Sequence, residues 1–281
     1  MKFKIVHQTD YIFSSEVFLE PHYLRFRPRQ TSFIDLLDFN ITISPKPEGQ
    51  KTIRDEEYNA VDFCWFENMT DKLSIITTSI LEIKPFNPFD FILYPDDFNT
   101  LPFEYNKLQE QLLSSALKVQ IISKELITYG ANLQAESNYN TIAYIRNLTK
   151  RLHDDFKVEY RELGSPLSPD QTFNLKRGSC RDLSWMQIHL LRYQGIVARF
   201  VSGYYYFDME KPQFELHAWV QVYLPGTGWL GLDPSHGVLT GNTHFPIASS
   251  AHFNQTMPVS GGIRGSASSK LITALSIEKI K

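Results

Sequence analysis

RGSCRDLSWMQIHLLRYQG, residues 177–195, decides how the rest of the chain is read. Ser179 is a good helix N-cap, and Asp182 three residues on completes an S-x-x-D capping box. Leu183, Met186, Leu190 and Leu191 recur at helical spacing, and Gly195 supplies the stop. The pattern predicts a helix whose first turn carries Cys180. A thiolate there is stabilised by the helix dipole, and the free N–H groups of the same turn can donate to an oxyanion. Arg177 and Arg181 add positive charge. The other cysteine, Cys64, sits in VDFCWF (61–66), where flanking aromatics predict a buried, inert thiol.

A thiol nucleophile needs a base, and the base needs an orienter. Of eight histidines, His217 is best placed. It lies in ELHAWVQVYLPGTGWLGLDPSHG (215–237), two apolar strands around a PGTG turn. A symmetric four-residue loop, Pro225 to Gly228, would put Val220 opposite Asp233 and turn the carboxylate to the wrong face. A three-residue loop with Gly228 in a left-handed bulge puts Trp219 opposite Asp233 and makes His217 its diagonal neighbour. The second register is expected. Cys180, His217 and Asp233 are therefore the candidate catalytic residues. Asp182 has a sufficient role as a cap, and Glu215, two before His217 on the same face, is a minor rival to Asp233.

Outward from this core, residues 2–95 read as strands joined by turns. MKFKIVHQTDYIF (1–13) and LLDFNITISP (36–45) alternate apolar and polar residues, and Leu73, Ile75, Thr77, Ser79 and Leu81 share one face. Four prolines in residues 85–104 mark a composition break. Leu108, Leu112, Ala116, Val119, Ile122 and Leu126 then form one helical stripe with Gly130 as its C-cap, and a second helix is expected over about 138–153. FKVEYREL (156–163) reads as a short strand, and SPLSPDQTFNLKRG (165–178) as a turn-rich approach to Cys180. Strands return after residue 195 and end in KLITALSIEKI (270–280). The fold class expected is α+β: an N-terminal antiparallel β-sandwich-like domain over 1–95, then a core over 96–281 with helices packed on an antiparallel sheet and a C-terminal strand.

With 42% hydrophobic and 21% charged residues, 281 residues can fill a normal core without disulfides or metals. Net charge is −3 and the pI about 6.2, which argues against nucleic-acid binding. No signal-peptide pattern or membrane-length apolar run appears, and two cysteines suit a reducing compartment, so a cytoplasmic location is expected. His217, Asp233, His236, His244 and His252 cluster in sequence without the tight spacing of zinc sites. No lysine follows GSC as a phosphate-binding loop requires. No metal or organic cofactor is expected.

RGSCRDLSWMQIHLLRYQGIVARFVSGY (177–204), HAWVQVYLPGTGW (217–229) and GLDPSHG (231–237) together resemble the transglutaminase-like superfamily, a branch of papain-like cysteine enzymes. LEPHYLRFRPRQ (19–30) resembles the β domain that precedes this core in bacterial members, and HFPIASSAHFNQTMPVSGGIRGS (244–266) their C-terminal ending. The resemblance implies that the family's cysteine, histidine and aspartate fall on Cys180, His217 and Asp233. It implies an acyl-transfer enzyme acting on a peptide or protein amide through a thioester. Hydrolysis, as by a cysteine protease or amidase, is favoured, since amine transfer needs a water-excluding site. A protein-glutamine transamidase and a non-catalytic binding module are the alternatives. No tryptophan before Cys180 is placed to be the second oxyanion donor, as in animal transglutaminases; Tyr160 and Gln171 are candidates.

Overall fold

The computed structural model describes residues 1–161, 164–207 and 209–280. Its amino-terminal elements are β1 (Lys2–Leu19), β2 (His22–Leu24), β3 (Ile34–Ser44), β4 (Gly49–Arg54), β5 (Ala60–Trp65) and β6 (Met69–Ile83). The helical layer holds α1 (Lys107–Leu117), α2 (Lys124–Glu136), α3 (Thr141–Asp155), β7 (Lys157–Val158), α4 (Pro169–Leu175), β8 (Arg177–Gly178) and α5 (Cys180–Tyr193). The chain then runs through β9 (Ala198–Phe207), β10 (Gln213–Leu224), β11 (Gly228–Asp233), β12 (Val238–Leu239) and β13 (His244–Ser250). It ends in β14 (Val259–Ser260), β15 (Ile263–Arg264) and β16 (Ser269–Ile280). The fold is mixed α and β with antiparallel main sheets, as the alternation and helical periodicities predict.

Two sheets face each other in the amino-terminal part. One has the order β15-β1-β6-β3, with β16 also on β1; the other has the order β14-β2-β5-β4. Between them pack Val17, Leu19, Leu24, Phe26, Leu73, Ile75 and the fully buried Cys64. The period-two face holds in β6, where Leu73, Ile75, Thr77, Ser79 and Leu81 are all buried.

The carboxy-terminal strand departs from the expected layout. The sequence pattern groups KLITALSIEKI with the core over 96–281, yet β16 pairs with β1 along twelve residues, from Lys2↔Ile280 to Phe13↔Ser269. β14 and β15 likewise join β2 and β1. The long β1 presents an edge that a strand from anywhere in the chain can cover, so local pattern does not fix its partner.

The helical layer also differs from its expected boundaries. The single stripe over 108–130 is two helices, because residues 118–123 are extended and Ser123 caps α2 by accepting from Leu126 N–H. Gly130 lies inside α2, not at its end; a Cβ there would stand 3.1 Å from Leu190, so it permits close packing on α5. The turn-rich approach contains α4, where Ser168 and Gln171 form a capping box and Pro169 occupies the first turn.

The site rests on a five-stranded sheet of order β12-β11-β10-β9-β13, with α5 packed on β10 and β9. Residues 182–192 of α5 are all buried, since the other helices cover the face turned from the sheet. Several of its polar groups are satisfied internally: Gln187 donates to Thr149 Oγ1 at 2.7 Å, and Arg192 donates to the carbonyls of Lys118, Ala198 and Ala251.

Candidate active site

Cys180 begins α5, as the capping box predicts. Asp182, buried without exposure, accepts from Ser179 N–H and Ser179 Oγ–H, each at 2.7 Å, and on its other oxygen from Leu167 N–H at 2.7 Å and Arg161 at 2.5 Å. Burial opposes its charge, but these hydrogen bonds outweigh burial and hold the carboxyl below its ordinary range. Asp182 thus pins the first turn of α5 to the preceding loop. Gly178 fits closely above it, since a Cβ there would lie 2.8 Å from Asp182 Cβ.

The hairpin adopts the three-residue register. Val220 faces Leu232 and Leu224 faces Gly228, which extends to Trp219 opposite Asp233. Gly228 has φ +79°, the left-handed bulge that this register needs. His217 and Asp233 consequently share a face, and His217 Nε2 lies 2.8 Å from Asp233 Oδ2. Cys180 is half-buried and stands close enough to the same imidazole to be among the causes that raise His217. Burial works against the imidazolium, yet Asp233 and then Cys180 lift its pKa well above the ordinary histidine value. The structure therefore brings Cys180, His217 and Asp233 together. Cys64 stays in the amino-terminal sandwich, where burial pushes its thiol up to about 12.

The two histidine nitrogens are differently occupied. Nε2 is held by Asp233, whereas Nδ1 is buried without a hydrogen-bond partner. Glu215 Oε1 lies 2.9 Å from Nδ1, close enough for charge attraction but out of line for a hydrogen bond.

The family model described as the bacterial transglutaminase-like N-terminal region matches residues 3–82, and the one described as the transglutaminase-like superfamily matches residues 128–234, which include Cys180, His217 and Asp233. The chain belongs to the transglutaminase-like superfamily. Among relatives of this superfamily member, an uncharacterized protein of Mycobacterium tuberculosis is 23% identical over 288 residues, spanning 96% of this chain and 90% of its own. A protein-glutamine gamma-glutamyltransferase of Pseudomonas aeruginosa is 34% identical over 76 residues, which is 25% of this chain and 11% of that protein. The crystal structure of a “putative cysteine protease” from Cytophaga hutchinsonii superposes with a TM-score of 0.72 at 20% identity, covering 100% of this chain and 92% of that one. That likeness extends the shared fold over both the amino-terminal sandwich and the core.

Within this superfamily core, sequence reasoning overlooked the other partners of Asp233. His236 Nδ1 lies 2.8 Å and His244 Nε2 3.0 Å from Asp233 Oδ2. Ser235 donates its N–H and its hydroxyl to Oδ1 at 2.9 and 2.6 Å. Burial opposes the Asp233 charge, but His217 and these hydrogen bonds hold its carboxyl well below the usual range. The signal was present as the histidine cluster weighed for zinc. Only the fold shows that His236 and His244 converge on the aspartate while His252 caps a short 3₁₀ turn beside Trp185. Among the described residues, His217, Asp233 and His236 place donor atoms within 4.8 Å of one another, a spacing that could hold a metal ion. Here the ring nitrogens turned to Asp233 are bound to its carboxylate. Of the two oxyanion candidates, Gln171 is occupied in the α4 capping box and Tyr160 is 83% exposed.

Proposed function

We propose that this protein is a cysteine peptidase or amidase that works through Cys180, His217 and Asp233. The observation that supports the reading is the pairing of His217 Nε2 with Asp233 at 2.8 Å, which leaves Nδ1, with Glu215 at 2.9 Å, as the nitrogen available to exchange a proton with Cys180. In that arrangement Nδ1 takes the thiol proton, and the Cys180 sulfur attacks the carbonyl carbon of an amide. N–H groups of the first turn of α5 steady the oxyanion. Nδ1 returns the proton to the leaving amine as the C–N bond breaks, which leaves a thioester. Water, deprotonated by the same nitrogen, then attacks the thioester and frees the acid and the thiol.

Hydrolysis is favoured over amine transfer because Cys180 is only half-buried, so water reaches the acyl-enzyme. The short match to a protein-glutamine gamma-glutamyltransferase keeps transamidation as the second reading. Incubation with a panel of peptides and amines, followed by mass spectrometry, separates them. Free acid made by the wild type and not by Cys180→Ala is expected. Cross-linked amide products would replace hydrolysis by transamidation. No Cys180-dependent product, together with Cys180 alkylation no faster than that of Cys64 in the native protein, would sink the enzyme reading.

A further inference from the structure

A second carboxylate beside the imidazole of the proposed base needs an explanation. The triad does not need Glu215, because Asp233 already orients His217. One Glu215 oxygen sits beside His217 Nδ1, but the side chain is 45% exposed and reaches into a cleft of about 610 Å³. The cleft opens where β9 and β10 leave the sheet, and Glu215 lies directly across from Tyr205 in register. Its other walls include Phe207, 45% exposed and two residues from Tyr205 on the same face of β9, and His236. The Tyr205 ring tilts against the His217 ring at 5.4 Å and the His236 ring at 4.4 Å, so the cleft adjoins the imidazole of the candidate base.

Aromatic faces with one carboxylate at their edge make a place for an organic cation. From this juxtaposition we infer that the cleft over the paired ends of β9 and β10 is a subsite for an alkylammonium group of the substrate, held by Glu215 and the rings of Tyr205 and Phe207 next to the scissile amide. The inference rests on the proposed acyl-transfer reading and names the substrate class within it: amides that carry a positive charge close to the bond attacked. A lysine side chain and a free α-amino group offer the same chemistry.

The test labels Cys180 in the full chain with three methanethiosulfonates of similar size, bearing a trimethylammonium, a sulfonate or only a methyl group. Rates are followed by mass spectrometry and normalised to those of a small free thiol. The cationic reagent is expected to outpace the anionic one by about tenfold, the scale of one well-placed charge contact. The ratio should fall towards one in Glu215→Gln and survive in Glu215→Asp. A ratio near one in the wild type, or one that Glu215→Gln leaves unchanged, overturns the subsite. Absolute rates bear on the nucleophile and ratios on the subsite: sluggish labelling that still discriminates by charge would sink the enzyme reading and keep the cation site. Protection by an acetylated lysine peptide but not its norleucine analogue assigns the side chain as the cation. Protection only by an unblocked peptide assigns the α-amino group.

Discussion

Asp233 and His217 are shifted so as to favour their charged forms, whereas two buried histidines elsewhere are held neutral, and the signs set the pH response of the fold. Asp233 is held well below its ordinary value, so its contribution to stability persists down to pH values below the usual aspartate range. His217 is raised, so its contribution is complete below about pH 6.5, its unfolded value, and fades as pH rises through the folded one. His7 is the reverse case. Buried between Tyr204 and Thr9, it is pushed by desolvation down to about 4, and His189 is likewise pushed down to about 3. These two rings stay neutral in the folded chain while the unfolded chain binds protons, so stability drops as pH falls below about 6.5. For His7 the loss reaches about 3 kcal/mol by pH 4. Urea midpoints measured from pH 8 to 4 should therefore peak near pH 6.5. His7→Gln, which keeps polar atoms but cannot charge, should flatten the acid limb by up to that amount. An acid limb as steep in His7→Gln as in the wild type would remove His7 from this account.

The hairpin of β10 and β11 is the element on which the site depends, and its register was legible because turn chemistry is local. PGTG allows few loops, and only the one with a left-handed Gly228 turns His217 and Asp233 to one face; the structure has φ +79° there. The start of α5 was legible for the same reason, since Ser179 and Asp182 are neighbours in sequence. What the sequence did not disclose is non-local. Nothing in KLITALSIEKI says that β1 is its partner, and nothing near His244 says that Asp233 will be within reach. Gly228→Ala tests the turn cleanly, because no atom lies within 4 Å of the added Cβ and the cost is purely conformational. A loss of about 1–2 kcal/mol is expected from the left-handed backbone. Gly228→Asn should lose less, since asparagine tolerates that region. Thermal unfolding of the two variants would decide it: equal stability of Gly228→Ala and wild type would mean the bulge is not what fixes the register.

At the scale of the molecule, the amino-terminal sandwich is built into the sheet that carries the site. One buried cluster takes Phe3, Ile5, Ile34, Leu81 and Ile83 from the sandwich and Tyr204, Tyr206, Phe245 and Ile247 from β9 and β13. Asn59, fully buried, donates to Ser249 carbonyl and accepts from Ser249 N–H, each at 2.9 Å, completing the backbone of β13 from the other half of the chain. Glu57 accepts from Ala251 N–H at 3.0 Å just beyond. The same β13 carries His244 to Asp233 at its other end, so the sandwich supports the site through a strand that both halves share. Neither half can then lose its structure without exposing the apolar surface of the other, and the two should unfold together. Cys64 and Trp185 report separately, the first from inside the sandwich and the second from α5. In a denaturant titration, thiol accessibility of Cys64 and fluorescence dominated by the core tryptophans should share one midpoint. Asn59→Ala leaves a buried N–H and carbonyl of Ser249 without partners, at about 1–3 kcal/mol for each group. It should move both midpoints down together. Two separate transitions, or a shift confined to one probe, would show that the halves fold independently and that the sandwich does not support β13.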